Sequence, residues 1–352
     1  MKKAVLVLLS LIVLAGIVST SCSSSDSTPE ATTRTITYYD GETITVPAKI
    51  TKIASGWNAQ NSIIAMLGYG DKIVATTDII KASPIFAKFV PSISNAVMCF
   101  TTSGEVNTES IVQADPDVAF IMRSGTTGAK FKILETMGIP VAMLKDSSLQ
   151  NLIDRTLITG QILGDDAYKK AQDYVKYYNN NVKKVEERLA KVPESEKVRV
   201  YLSSGRVLTT SNRPSLNQDW MDKAGVINVA EEWDLSAMAQ GNDNANLEEI
   251  IASNPDVIIC MNAADAKTIK SDPGWAVIKA VKDGKVYVNP KGMFYWCRET
   301  TEEALEFLWV AKTVYPEYFT DIDMAKETKN FYKTFYGYDL TEEDIELFLN
   351  PK

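Results

Sequence analysis

Histidine is absent from all 352 residues, and that one omission removes several chemistries together. Without imidazole there is no Ser-His-Asp or Cys-His relay, so the common hydrolase mechanisms lose their base. Bare zinc or manganese loses its favoured nitrogen ligand, so no protein-held metal site is expected. Haem loses a histidine axial ligand, with tyrosine left as the alternative. No Gly-x4-Gly-Lys-Ser/Thr loop is present to cradle nucleotide phosphates. Cysteine is scarce: beyond Cys22 there are only Cys99, Cys260 and Cys297, none in CxxC spacing, so at most one pair can form. Basic residues are outnumbered, 37 Lys and Arg against 45 Asp and Glu, which argues against a nucleic-acid partner. One enzymatic reading survives these absences, a glycosidase built on Glu299, Glu302, Glu303 and Glu306. Their three- and four-residue spacing reads instead as the solvated face of a helix, so the chain is expected not to be an enzyme and to carry no intrinsic cofactor.

Long apolar runs are also missing. The longest stands at the start, where Met1, Lys2 and Lys3 precede an apolar stretch over residues 4–18. About 15 apolar residues fall short of the roughly 20 that span a bilayer, so this reads as a secretory leader. Small residues lead up to Cys22, with Ser19 where an aliphatic residue is usual, and a polar linker follows over 23–33. The pattern resembles a bacterial lipoprotein signal, which implies lipidation at Cys22 and anchoring outside the cytoplasm. Composition beyond it is ordinary for a globular chain, 45% hydrophobic and 23% charged, and the length suggests two domains.

The most informative feature is an internal repeat. The sixteen residues from Asn107 to Met122 match those from Asn246 to Met261 without a gap and with seven identities. Each copy reads as an Asn helix cap, a short helix with Glu in its first turn, a Pro-Asp break, and a buried strand. Around the first copy, strands are expected at 52–55, 72–76 and 118–122, with a helix over 58–67. Around the second, strands are expected at 198–202, 257–261 and 285–288, with helices over 216–224 and 301–314. Such alternation favours parallel sheets covered by helices, with ligand sites beyond the carboxyl ends of the strands. Between the copies, residues 165–192 contain no Gly or Pro and carry apolar residues at helical spacing from Ala167 to Val192. That predicts one amphipathic helix long enough to join two lobes, ended by Pro193. The expected organisation is a first α/β lobe over 34–163, an interlobe helix over 164–193, a second α/β lobe over 194–320, and terminal helices over 321–352 packed on the second lobe.

With the twin Asn-x-Glu and Pro-Asp-Val units, the long helix, the stretch from Lys223 to Asn228 and a closing helix from Glu303, residues 34–320 resemble a known family. It is the periplasmic-binding-protein family that serves iron-siderophore, haem and cobalamin ABC importers. The resemblance implies a two-lobed clamshell bridged by a helix, partnered by a permease dimer with its ATPase. One glutamate at each lobe tip then meets permease arginines, which by motif position are Glu109 and Glu248. The other reading of both is a carboxylate complementing a helix N-terminus. A surface ligand-binding protein of the same fold is the non-transport alternative.

Candidate ligand residues follow the strand ends that should face the cleft. These are Trp57, Asn58, Arg123 and Ser124 from the first lobe, and Ser204, Arg206, Asn262, Tyr295, Trp296 and Arg298 from the second. Arginine offers a planar fork for carboxylate or catecholate oxygens, and Trp or Tyr can stack on an aromatic ligand. Core packing competes for Trp57 and Trp296, and surface ion pairing for Arg123 and Arg298. Trp220, Trp275 and Trp309 are expected to pack helices. The favoured cargo is a metal chelate, first an anionic ferric siderophore, then a corrinoid or a tyrosine-held haem.

Overall fold

The computed structural model describes residues 32–39, 41–101, 106–123, 131 and 133–352. The chain opens with an antiparallel hairpin, β1 (Thr33–Tyr38) with β2 (Glu42–Pro47). The first lobe is a parallel sheet of β3 (Ile53–Ser55), β4 (Ile73–Thr77), β5 (Val97–Phe100), β6 (Val118–Met122) and β7 (Val141–Leu144), in the order β5-β4-β3-β6-β7. The second is a parallel sheet of β8 (Arg199–Ser203), β9 (Ile227–Asn228), β10 (Val257–Cys260) and β11 (Val286–Val288), in the order β11-β10-β8-β9. Both central strands are fully buried, as expected where helices cover both faces of a parallel sheet. Set side by side, β4-β3-β6-β7 and β9-β8-β10-β11 are the same arrangement, and β5 is an edge strand added to the first lobe.

The repeat holds down to single hydrogen bonds. Asn107 caps the Thr108–Ala114 helix by accepting from the Ser110 N–H at 3.0 Å, and Asn246 caps Leu247–Ser253 by accepting from the Glu249 N–H at 2.8 Å. Each helix ends on a left-handed residue, Asp115 (φ 51°) or Asn254 (φ 43°), a conformation that Asp and Asn tolerate better than most side chains. Asp117 then accepts the Lys52 N–H at 2.9 Å, and Asp256 the Arg199 N–H at 3.1 Å. In both lobes, therefore, the Pro-Asp corner sets the register between the strand it starts and the lobe's first strand.

The long helix spans Asp165–Leu189, about 37 Å at 1.5 Å per residue. Ala167, Ala171, Tyr174, Tyr178, Asn181, Val185 and Leu189 form its buried face. The preceding helix, Leu149–Leu163, packs closely against it at Gly160, where a Cβ would stand 2.8 Å from the Tyr168 Cα. Trp220, Trp275 and Trp309 are buried, and Cys99, Cys260 and Cys297 are all buried and free, so no pair forms among them.

Two expectations need correction. The terminal helices Met324–Tyr336 and Glu342–Leu349 do not rest on the second lobe alone. Phe89 of the first lobe lies against Tyr332, Tyr338 and Phe348, Lys88 pairs with Asp344, and the Tyr336 hydroxyl donates to the Ser62 carbonyl at 3.2 Å. Phe331 and Phe335 also meet Tyr177 on the spanning helix. An aromatic face this broad covers both lobes rather than one. The second correction concerns Glu302, Glu303 and Glu306, which are fully buried instead of solvated. Glu302 accepts from the Met293 N–H, the Tyr332 hydroxyl, and the Thr300 and Thr301 hydroxyls, at 2.6 to 2.9 Å. Glu302 thereby ties the second lobe to the terminal helix through Tyr332, because hydroxyl and amide donors replace the water it has lost.

Candidate functional site

A cavity of about 720 Å³ opens between the lobes at the carboxyl ends of the strands. From the first lobe it is lined by Trp57, Asn58, Ile79, Met122, Asp146 and Ser147, and from the second by residues around Ser215, by Met261, and by Phe294, Tyr295, Arg298 and Glu299. Four other depressions among the described residues hold about 420 to 500 Å³ each.

Trp57 follows β3 and is the extended N-cap of the Asn58–Met66 helix, with no side chain capping that end. Its backbone donors are thus of the kind that attracts anions. Asn58 beside it has a buried Oδ1 with no hydrogen-bond partner. Arg298 is held from behind: Nη2 donates to the Ser204 hydroxyl at 3.0 Å, and Nε lies 3.0 Å from the Met261 sulfur. Among the described residues no carboxylate pairs with Arg298, so its charge is available to the cavity. Tyr295 adds an aromatic face, packed edge-on against Phe294.

The structure thus brings Trp57, Asn58, Tyr295 and Arg298 to one cavity, with Ser204 behind the arginine. It does not bring the other expected residues there. Arg123 forms a two-pronged pair with Glu42 of the hairpin, lies over the Tyr39 ring, and is raised above its ordinary pKa chiefly by the Glu42 hydrogen bond. The β1-β2 hairpin that claims it is not among the expected elements. Arg206 is more than half exposed and donates to Asp243 at 2.8 Å. Asn262 caps the Ala263–Ser271 helix through the Asp265 N–H at 2.8 Å. Trp296 is fully buried among core residues, its indole N–H without a partner. Ser124 lies outside the described residues. Glu109 and Glu248 are both exposed, in equivalent first turns of the twin helices.

Sequence reasoning missed Arg155. This side chain is 1% exposed on the Leu149–Leu163 helix, and its guanidinium lies 3.7 Å from the centre of the Trp57 ring. Nη2 donates to the Glu299 carbonyl, and Nη1 is 3.9 Å from a Glu299 carboxylate oxygen. Burial pulls its pKa below the ordinary value, opposed by the charges of Glu299 and Glu303. A lone arginine on the face that Leu152, Thr159 and Ile162 share was the available signal. Behind it, burial raises Glu303 well above the ordinary carboxylate range and pushes Glu306 up to about 8.

Comparison with known proteins decides the lineage. A family model described as periplasmic binding protein matches residues 53–292, which takes in both sheets and the helix between them. The chain belongs to the periplasmic binding protein family. The molybdate-binding protein MolA of Haemophilus influenzae is 27% identical over 279 residues, covering 71% of this chain and 75% of MolA. An uncharacterised ABC transporter substrate-binding lipoprotein of Bacillus subtilis, YvrC, is 24% identical and covers 82% of this chain and 87% of its own. Among solved structures, a periplasmic solute-binding protein of Veillonella parvula superimposes with a TM-score of 0.78 at 26% identity, covering 90% of this chain and 97% of that one. As a periplasmic binding protein, this chain is a substrate-binding component of an ABC transporter, working with permease and ATPase subunits, and not an enzyme. Among its described residues no helix is long and apolar enough to cross a membrane.

Proposed function

We propose that this binding protein captures an anionic metal chelate, with ferric siderophores the favoured class, and presents it to the permease from a lipid anchor at Cys22. The supporting observation is Arg298, a cation with no carboxylate partner among the described residues, in a cavity of about 720 Å³. A volume of that order suits a metal wrapped in an organic ligand, and Trp57 and Tyr295 offer it faces for stacking. An iron-uptake system-binding protein of Bacillus subtilis, 24% identical over 196 residues, supports iron as the metal. The leader ending at Cys22 and the lipoprotein relative YvrC support the anchor outside the cytoplasm. Glu109 and Glu248, exposed at matching places in the two lobes, would meet the permease dimer.

A second reading is a small metal oxyanion. It is favoured by the uncapped helix start at Asn58 and by MolA, whose structure bound to molybdate has a TM-score of 0.76 at 24% identity, covering 88% of this chain and 99% of MolA. Tryptophan-fluorescence titration with ferric catecholate and carboxylate siderophores, cobalamin, haemin and molybdate separates the readings. Tight ferric-chelate binding with molybdate silent is the expected result. Hydrogen bonds to a charged group contribute about 1.5–3 kcal/mol, so Arg298→Ala should weaken binding roughly ten- to hundredfold. Unaltered affinity would reject Arg298 as the anion contact.

A further inference from the structure

We propose that Arg155 is a positioning residue for the cleft, clamping Trp57 of the first lobe and the turn at Arg298 and Glu299 of the second into one wall. The inference rests on the reading of the cleft as the ligand site and adds a residue that never touches the ligand. A buried cation is costly unless it is well matched, and a helix that needed only packing would carry an apolar residue at this place. Among the described residues, the side chains and carbonyl that the guanidinium stacks on, donates to or pairs with belong to two cavity wall residues, Trp57 and Glu299. Its flat face lies 3.7 Å from the centre of the Trp57 ring, and its Nη2 donates to the carbonyl of Glu299, the residue directly after Arg298.

The turn it holds is under strain. Glu299 (φ 53°) and Ser147 (φ 77°) both sit in the left-handed region without being glycine, and they are joined across the lobes by the Ser147 N–H donating to Glu299 Oε1 at 2.9 Å. Such conformations persist only where surrounding contacts enforce them. The Glu299 N–H is fixed from the other side by Glu303 Oε2 at 2.9 Å. Arg155 holds the carbonyl side of the same residue, so its loss frees that side of the turn while the Glu299 N–H and the Arg298 N–H, which donates to the Tyr295 carbonyl at 3.1 Å, stay held. The planar fork matters as well as the charge: lysine cannot stack on Trp57 and reach the Glu299 carbonyl in one geometry.

Amide hydrogen exchange on the ligand-free protein tests the clamp without knowledge of the ligand. In Arg155→Lys and Arg155→Met, exchange at Ser147 and over 298–300 should quicken at least tenfold while the Leu149–Leu163 helix and β3 keep their protection. Titrations with the ferric complex of a tris-catecholate and with molybdate run in parallel. For whichever probe binds the wild type, Arg155→Lys should raise Kd at least tenfold. Exchange that quickens evenly across the first lobe, or not at all at the two loops, would show that Arg155 only fills the core. If Arg155→Met fails to fold, Arg155→Lys retains the buried charge without the fork and still gives the exchange pattern. If neither probe binds the wild type, the ligand class falls, and the exchange pattern still decides the clamp.

Discussion

Replacing Glu306 by glutamine isolates one buried proton. The carboxyl is fully buried; one oxygen accepts from the Asn289 side chain and the other has no hydrogen-bond partner. Burial pushes its pKa from an ordinary 4.5 to about 8, with the Asn289 hydrogen bond opposing. The folded protein therefore keeps this proton at pH values where the unfolded chain has lost it. Its contribution to stability is complete below about pH 4.5 and is lost as the pH rises through 8. Between pH 5 and pH 8 the unfolded state binds up to one proton fewer, so the wild type loses about 3–4 kcal/mol from this group. Glutamine resembles the protonated acid, can present its carbonyl to Asn289, and does not titrate. Urea unfolding of Glu306→Gln and wild type at pH 5, 6, 7 and 8 should give a stability difference that grows steadily in favour of the variant by about that amount. Other titrating groups are common to both proteins and largely cancel in the subtraction. A difference that stays level across the range would refute the claim that this carboxyl is folded in its neutral form.

Reversing the charges proposed to meet the permease, Glu109→Lys with Glu248→Lys, should reduce uptake to the level of a strain lacking the protein while ligand affinity stays within about twofold, because both carboxylates are exposed and neither lines the cavity. Wild-type uptake by the double variant would remove them from the docking surface. Small-angle scattering profiles with and without saturating ligand should nearly superimpose. The lobes are joined by the spanning helix and also by a buried contact of 2.9 Å between the Ser62 and Thr300 hydroxyls, while the Tyr174 hydroxyl ties the spanning helix to the Thr301 carbonyl at 2.9 Å. A marked compaction would overturn that expectation.

The fold was legible because duplication writes the same signal twice. The Asn cap, the first-turn Glu, the Pro-Asp corner and the buried strand stand at corresponding places in each lobe, and the strands at 118–122 and 257–261 fall within a residue of where they were expected. The spanning helix was legible from its 3.6-residue period and its lack of Gly and Pro, and it ends at Leu189, three residues before the expected limit. The site was legible only in part, because strand ends say where a side chain starts and not whom it meets. Arg123 and Arg298 follow strands or loops in the same way. One is captured by Glu42, 81 residues earlier in the chain, and the other is backed by a serine hydroxyl. The buried glutamates were misread because a three- and four-residue spacing is the same for a solvated face and for one covered by a distant tyrosine, Tyr332, with the adjacent Thr300 and Thr301 turned onto the same carboxyl.

These burials bear on how a chain of net charge −8 can offer a cavity to an anion. Carboxylates near the cleft would ordinarily repel such a ligand across a low-dielectric wall. Here Glu299 is engaged by Arg155 and by the Ser147 N–H, while Glu303 and Glu306 are driven by burial toward their neutral forms. Asp146 is the remaining carboxylate of the lining and belongs to the first lobe, whereas Arg298 belongs to the second. The cavity is therefore polarised rather than uniformly acidic. A ligand that places its negative oxygens on Arg298 and a donor edge toward Asp146 satisfies both lobes at once, which a symmetric oxyanion cannot do as fully. This polarity is the physical reason to rank a chelate above a bare oxyanion.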